Sequence, residues 1–301
     1  MIKNNKTILA TIFALVAQVI FGFSFMFTKI ALDFASPITL IADRYIVAFL
    51  GLSVAMLFTK TKIRLNKNIW KLVLMAIFQP FLYFIFESYG IKLTTSSFSS
   101  IMISLIPVVA MVSGIFVLKE IPTFLQYVFT LLSIGGVVVM ALAGKADGTV
   151  TIGGILLLLG AVLSAVGYNI MSRKISSEFT PFERTYAMSI IGLVSFVLIA
   201  LIENIKAPTA IFTPFLNPAF LWSVLYLGIA SSVIAFFLLN FANTHLPIAK
   251  TTVFSNVTTV VSVVAGILFL NEKLSFAVVL STVMIIVGVC GVQLLAVKNK
   301  G

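Results

Sequence analysis

Apolar residues run almost unbroken along this chain in ten stretches, separated by short polar connections. They are Thr7–Ile30, Pro37–Phe58, Ile69–Tyr89, Ser96–Leu118, Thr123–Leu142, Ile152–Ser172, Phe182–Ile202, Ala219–Asn240, Ile248–Leu270 and Phe276–Val297. A helix needs about 20 mostly apolar residues to cross a hydrocarbon core, and each stretch supplies roughly that number. None shows the alternating pattern, about ten residues long, of an outer-membrane strand. The first stretch is too long for the h-region of a signal peptide and reads as a retained helix. The pattern predicts an all-α integral membrane protein with ten transmembrane helices.

Composition points the same way. Of 301 residues, 60% are hydrophobic and 10% charged, against roughly 25% charged in an ordinary soluble domain. So few polar residues cannot cover a soluble core of this size, which excludes a soluble enzyme or a disordered chain. The net charge of +11 has no soluble basic domain to present it, so no nucleic-acid partner is expected. It reads instead as orientation. With the N-terminus inside, Lys3, Lys6, Lys60, Lys62, Arg64, Lys67, Lys71, Lys119, Arg173, Lys174, Arg184, Lys298 and Lys300 fall inside. Lys29, Lys92, Lys145, Lys206 and Lys273 fall outside. Thirteen against five predicts both termini in the cytoplasm and residence in the plasma membrane.

The chain also repeats itself. Val112–Glu120 closes the fourth stretch and Val264–Glu272 the ninth, at a constant offset of 152. Gly136 and Gly288 keep that offset, while Pro37 and Pro181 are 144 apart. The division is a first repeat of residues 1–145 and a second of 146–301, five helices each. Because five is odd, the second copy enters the membrane from the opposite side. Two inverted five-helix repeats are an architecture of alternating-access transporters, with the substrate between the halves.

Ionisable and amide groups at membrane depth are the functional candidates. Gln79, Tyr83 and Glu87 lie four apart, beside Pro80, and stack on one helix face. Glu87 is a candidate to bind a cationic group or carry a coupling proton or ion. Gln18 and Phe25 fall on one stretch of the first helix, Ser100 and Ser104 ahead of Pro107, Tyr168 and Asn169 mid-way along the sixth helix, and Asn256 on the ninth. Small hydroxyl residues equally serve helix packing. Asp43 and Arg44 point to different helix faces, and Lys250 sits just inside the ninth stretch; these three are read as gating or structural charges. Arg44 has the two-pronged geometry for a carboxylate, or it clamps a neighbouring helix. One His and one Cys give no material for a metal site, no cofactor is implied, and an intramembrane enzyme lacks clustered nucleophiles and bases.

A run of small residues (Ser97, Ser99, Ser100), then Pro107, then Glu120 at a helix end, then Gly135-Gly136, resembles the EamA-type transporters of the drug/metabolite transporter superfamily. Gly22, Lys29, Pro37, Arg44 and Tyr45 extend the resemblance over the first copy, while Thr259 and Met188 break the pattern in the second. The resemblance implies a secondary-active or facilitative transporter exporting a small metabolite such as an amino acid, amine or drug-like compound. It also implies a cavity bordered by the first, third, fourth, sixth, eighth and ninth helices, with the fifth and tenth at the periphery as possible homodimer contacts. A channel or a membrane assembly subunit is the alternative.

Overall fold

The computed structural model describes residues 2–59, 68–110, 123–146, 148–246, 251, 254–273 and 275–298. Among them there is no strand. In chain order the helices are α1 (Ile2–Ala31), α2 (Pro37–Thr59), α3 (Ile69–Lys92), α4 (Ser96–Ala110), α5 (Phe124–Ala146), α6 (Ile152–Lys174), α7 (Pro181–Glu203), α8 (Pro218–His245), α9 (Ser255–Leu270) and α10 (Phe276–Lys298). Seven of them, α1–α3 and α5–α8, are long and apolar enough to cross a membrane. Within the described residues α4, α9 and α10 offer shorter apolar runs. The expected spans over Ser96–Leu118 and Ile248–Leu270 extend into residues 111–118 and into residues 248–250 and 252–253, outside the described residues.

Local chemistry sets the helix starts. Thr180 and Glu183 form a reciprocal capping box at α7, with Pro181 in the first turn, where its missing N–H costs nothing. Thr151 accepts from the Gly154 amide, and Asn217 from the amides of Ala219 and Phe220 ahead of α8. α8 begins at Pro218 and runs to His245, past the expected end at Asn240, with a π-helical stretch from Tyr226 to Ala235 in its middle. α3 is broken where Pro80 suggests it. Gln79 is extended (φ −150°, ψ 116°), the Gln79–Pro80 peptide is cis, and a π-helical segment spans Ile77–Leu82.

The packing inverts that of a soluble domain. Leu57, Phe124, Leu131, Leu142 and Trp222 are each more than half exposed, whereas Gln18, Arg44, Gln79, Glu87, Arg184 and Asn240 are buried. An apolar exterior is what a bilayer solvates, and backbone polar groups inside it are satisfied within helices. α5 and α10 pack on each other at very close range. A Cβ on Gly288 would lie 2.6 Å from the Phe129 carbonyl, and one on Gly136 2.9 Å from that of Ser281. Small residues let membrane helices approach this closely.

The two ends of the bundle are tied differently. At one end Lys29 Nζ donates to the carbonyls of Ile91 (3.0 Å) and Thr94 (2.5 Å), closing the C-terminus of α3. Glu272 turns back from the end of α9, and its carboxylate accepts from the first amides of α4, Ser96 N (2.8 Å) and Ser97 N (3.1 Å). Asn271 makes that turn possible in the left-handed region (φ 54°). Gly266 leaves the space, since a Cβ there would stand 2.6 Å from the carboxylate. A carboxylate on a helix N-terminus is a charge-assisted cap, so Glu272→Ala is expected to cost about 1–2 kcal/mol. Thermal unfolding in detergent checks it, and Glu272→Gln, which keeps one acceptor oxygen of the two but not the charge, should lose less than Glu272→Ala.

At the other end Arg173 Nη1 donates to the carbonyls of Asn243 (2.8 Å) and Thr244 (2.6 Å). Nearby, in the α6–α7 connection, Glu178 accepts from Lys71 (2.5 Å) and from Asn68 (2.7 Å). The hydrogen bond from Lys71, its charge and the Asn68 amide hold the Glu178 carboxyl below its ordinary range. A depressed carboxyl contributes stability above its unfolded pKa and loses it as pH falls through the folded one. Wild type should therefore be slightly more stable than Glu178→Gln at neutral pH, and the two should converge on acidification; a difference persisting in acid would refute the contact's role.

Candidate functional site

Between the two ends the helices enclose a cavity. α1 contributes Gln18, Phe21, Ser24 and Phe25; α3 contributes Gln79, Tyr83, Phe84 and Glu87; α6 contributes Ala165, Tyr168 and Asn169. Ile103 and Ile106 of α4, Ser231, Phe236 and Leu239 of α8, and Ser255 and Thr258 of α9 complete the wall, with Thr251 just before α9. α2 adds a single residue, Arg44. α5 and α10 contribute none among the described residues.

The broken α3 builds the most polar wall. Gln79, Tyr83 and Glu87 all face the cavity; a helical spacing of four holds Tyr83 and Glu87 on one face, while Gln79 reaches it from the extended backbone at the break. The Tyr83 hydroxyl donates to Glu87 Oε1 (2.9 Å), while Glu87 Oε2 is buried with no partner. Opposite, Arg44 Nε donates to Ser232 Oγ (2.7 Å) and Nη2 to Ser231 Oγ (2.9 Å), both in the π-helical stretch of α8. Its guanidinium lies over the Phe84 ring, 4.0 Å from the centroid, a cation–π contact that gains strength when desolvated. Arg44 thus clamps α2 to α8 and also fronts the cavity. Among the described residues, no ion pair joins Arg44 to Glu87.

Two more sets of bonds fix the remaining polar walls. Gln18 Oε1 accepts from Thr258 Oγ1 (2.6 Å), linking α1 to α9. Tyr168 donates to Asn240 Oδ1 (3.0 Å), which also accepts from Ser172 Oγ, while Asn240 Nδ2 donates to Thr185 Oγ1. Asn169 Oδ1 accepts from Asn243 Nδ2 (3.3 Å).

The profile of the EamA-like transporter family matches residues 8–142 and again residues 152–294. The chain belongs to the EamA-like transporter family. The uncharacterized transporter YcxC of Bacillus subtilis (strain 168) is 36% identical over 295 residues, 97% of this chain and 94% of that one. The uncharacterized transporter YetK of the same organism is 26% identical over 232 residues, 74% and 68% of the two chains. A solved crystal structure superposes with a TM-score of 0.68 at 18% identity over 95% of this chain and 98% of that one, a likeness of fold. The chain is a multi-pass membrane protein, a membrane transporter of the EamA-like family.

Not every expected residue of this EamA-like chain reaches the cavity. Ser100 and Ser104 are fully buried but donate to the carbonyls of Ser97 (2.9 Å) and Ile101 (2.6 Å) in their own helix. Their stripe packs on α9, where Thr259 Oγ1 donates to the Ser100 carbonyl and Ser96 meets Ser262. Asn256 points away from the cavity and donates to Cys290 Sγ (3.2 Å). Asp43 is also off the cavity wall, fully buried, with neither carboxylate oxygen bonded. Lys250 lies outside the described residues.

One residue counted among the inside charges is buried in the bundle. Arg184, one turn into α7, is fully buried. Its Nη1 donates to Ser172 O (2.9 Å) and Oγ (2.8 Å), and its Nη2 to Asn240 O (2.8 Å) and Thr244 Oγ1 (2.5 Å). Asn240, Ser231 and Ser232 were missed as well. The usable signal was a lone amide and an adjacent hydroxyl pair in an otherwise apolar helix. Among the described residues, no three His, Cys, Asp or Glu side chains gather as metal ligands would.

Proposed function

We propose that this protein is a secondary transporter that exports a small metabolite across the plasma membrane by alternating access. It would do so as ten spans in two inverted five-helix repeats, residues 1–145 and 146–301, with both termini cytoplasmic. The observation that carries the reading is the central cavity, walled by seven helical regions from both halves and polar at Gln18, Arg44, Gln79, Glu87, Tyr168 and Asn169. A concave, largely apolar site with a few convergent polar groups is where a small ligand binds.

The inverted repeat draws support from matched contacts. Lys29 and Arg173 stand 144 apart, and their acceptors Ile91 and Asn243 stand 152 apart, the two offsets found in the repeat. One contact closes the end of α3 and the other the end of α8, at opposite ends of the bundle. Rocking one half against the other then exposes the cavity to each side in turn. The α5–α10 pair lies away from the cavity, free to serve as a homodimer face.

Purified protein in proteoliposomes tests the proposal. Saturable counterflow that depends on solute identity is expected. A non-saturating conductance would instead make the protein a channel.

A further inference from the structure

We infer that the connection from α7 to α8, residues 204–217, is a membrane anchor that lies in the bilayer rather than above it, with its outward side chains among the lipid chains and Lys206 at the phosphates. The inference concerns a lipid-binding surface away from the cavity and holds whatever solute the cavity carries.

The inference starts from a contrast in composition. The connection after α2, residues 60–68, carries Lys60, Lys62, Arg64 and Lys67. The one after α7 has Lys206 near its start and then no charged residue from Ala207 to Asn217. Polar contacts to the α1–α2 turn mark the end of α7. Glu203 accepts from Ser36 Oγ (3.1 Å), and Asn204 Nδ2 donates to Thr39 Oγ1 (3.4 Å). Past that level a connection bound for water would become polar, and this one becomes apolar.

Two short 3-10 helices, Pro208–Ile211 and Thr213–Leu216, give the connection two faces. On the inner face Ile211 is buried in the core, and Phe215 packs edge-on against Phe220 with ring centroids 5.5 Å apart. On the outer face Ile205, Phe212 and Leu216 are 72%, 59% and 85% exposed. The backbone is fit for contact with lipid, where an unpaired polar group is costly. The amides of Ala207, Ala210, Phe212, Phe215 and Asn217 all donate to carbonyls within the connection, and Pro208 and Pro214 have no N–H to satisfy. Continuity decides what covers the outer face. Leu198 and Ile202 of α7 lead into it and Trp222 of α8 leads away, each more than half exposed on a helix fit to cross the membrane. The bilayer that covers those flanks covers the loop between them without a second partner. An apolar face with a flanking Lys and a bordering Trp has the make-up of an interfacial segment, whose apolar face sinks about 5–10 Å into the headgroup–acyl boundary.

The test uses the full-length protein in phosphatidylcholine vesicles with ordinary or dibrominated acyl chains, since bromine quenches tryptophan only at close range. Trp70 and Trp222 are the two native tryptophans. With both replaced by Phe, Phe212→Trp and Leu216→Trp each supply a single reporter at an exposed position. Trp222 alone, in Trp70→Phe, is the reference for lipid contact. Thr149→Trp, in the exposed connection from α5 to α6, is the reference for water. Both reporters should lose as large a share of their emission in brominated lipid as Trp222 does, and acrylamide should quench them less than it quenches Thr149→Trp. Acrylamide quenching equal to that of Thr149→Trp, with none from brominated lipid, would put the connection in water and overturn the inference. Quenching by neither would mean that protein covers it, a second copy for example, and would overturn it equally. Should the Trp variants not fold, a nitroxide on Leu216→Cys in a Cys290→Ser background repeats the measurement. It should collide more with oxygen, which partitions into lipid, than with a water-soluble nickel chelate, and the opposite order would refute the anchor.

Discussion

Replacing Arg184 by Met should destabilise the protein by roughly 3 kcal/mol, since a hydrogen bond to a charged group contributes about 1.5–3 kcal/mol and neighbouring bonds do not add fully. The guanidinium makes four bonds, to Ser172 O, Ser172 Oγ, Asn240 O and Thr244 Oγ1, and so ties α6, α7 and α8 at one end of the bundle. Met fills much of the volume but donates nothing, so any loss reports the bonds rather than a cavity. Arg184→Lys should recover little, because one ammonium cannot reach acceptors on two helices in the fork geometry. The effect should extend to the cavity: Asn240, whose carbonyl Arg184 holds, accepts the Tyr168 hydroxyl with its side chain. Arg173→Met serves as the comparison, since Arg173 is only partly buried and bonds two carbonyls with a single nitrogen. Thermal midpoints of the three variants in one detergent decide it. An Arg184→Met midpoint equal to that of Arg173→Met would refute the staple.

How much of this was legible in the sequence depends on whether a residue's role is set by its own helix or by its neighbours. Tyr83 and Glu87 were legible because a spacing of four fixes a common face, and Pro80 marks the break; that Gln79 still reaches the cavity across that break was not set by periodicity. Arg44 was legible from scarcity, since few charges fall inside a span. The hydroxyl stripe of α4 was not, because the same spacing serves a cavity or a packing face. What decides between them is α9, whose Thr259 and Ser262 meet it. Arg184 read as an interfacial charge for the same reason: three residues after Pro181, it looks like a loop cation until α6 and α8 close over it. Ser231 and Ser232 gain their role from a π-helical stretch that their own residues do not announce. Periodicity reports faces, and tertiary contact assigns those faces their partners.

Gly135 and Gly136 are adjacent, yet alanine should be tolerated at the first and not at the second. A Cβ on Gly135 would meet only the terminal Cε of Met284 at 3.3 Å, the mobile end of a flexible side chain. A Cβ on Gly136 would press Ile285 Cγ1 at 2.7 Å and the Ser281 carbonyl at 2.9 Å, and backbone cannot step aside without moving a helix. Gly288 is tighter still, because the added atom would strike Ser133 Oγ and stand 2.6 Å from the Phe129 carbonyl. Overpacking of this kind costs about 1–3 kcal/mol, so Gly288→Ala should fall at the upper end, Gly136→Ala below it and Gly135→Ala near zero. The order matters more than the size, because it follows from which atom is struck. Since α5 and α10 contribute no described residue to the cavity, ligand affinity in the folded fraction should be the same for all three variants. A Gly135→Ala midpoint as low as that of Gly288→Ala would mean that helix propensity or lipid contact, not the α5–α10 approach, governs this pair. A loss of affinity at Gly288→Ala in folded protein would instead mean that the pair is coupled to the cavity through α4 or α9, the helices packed between.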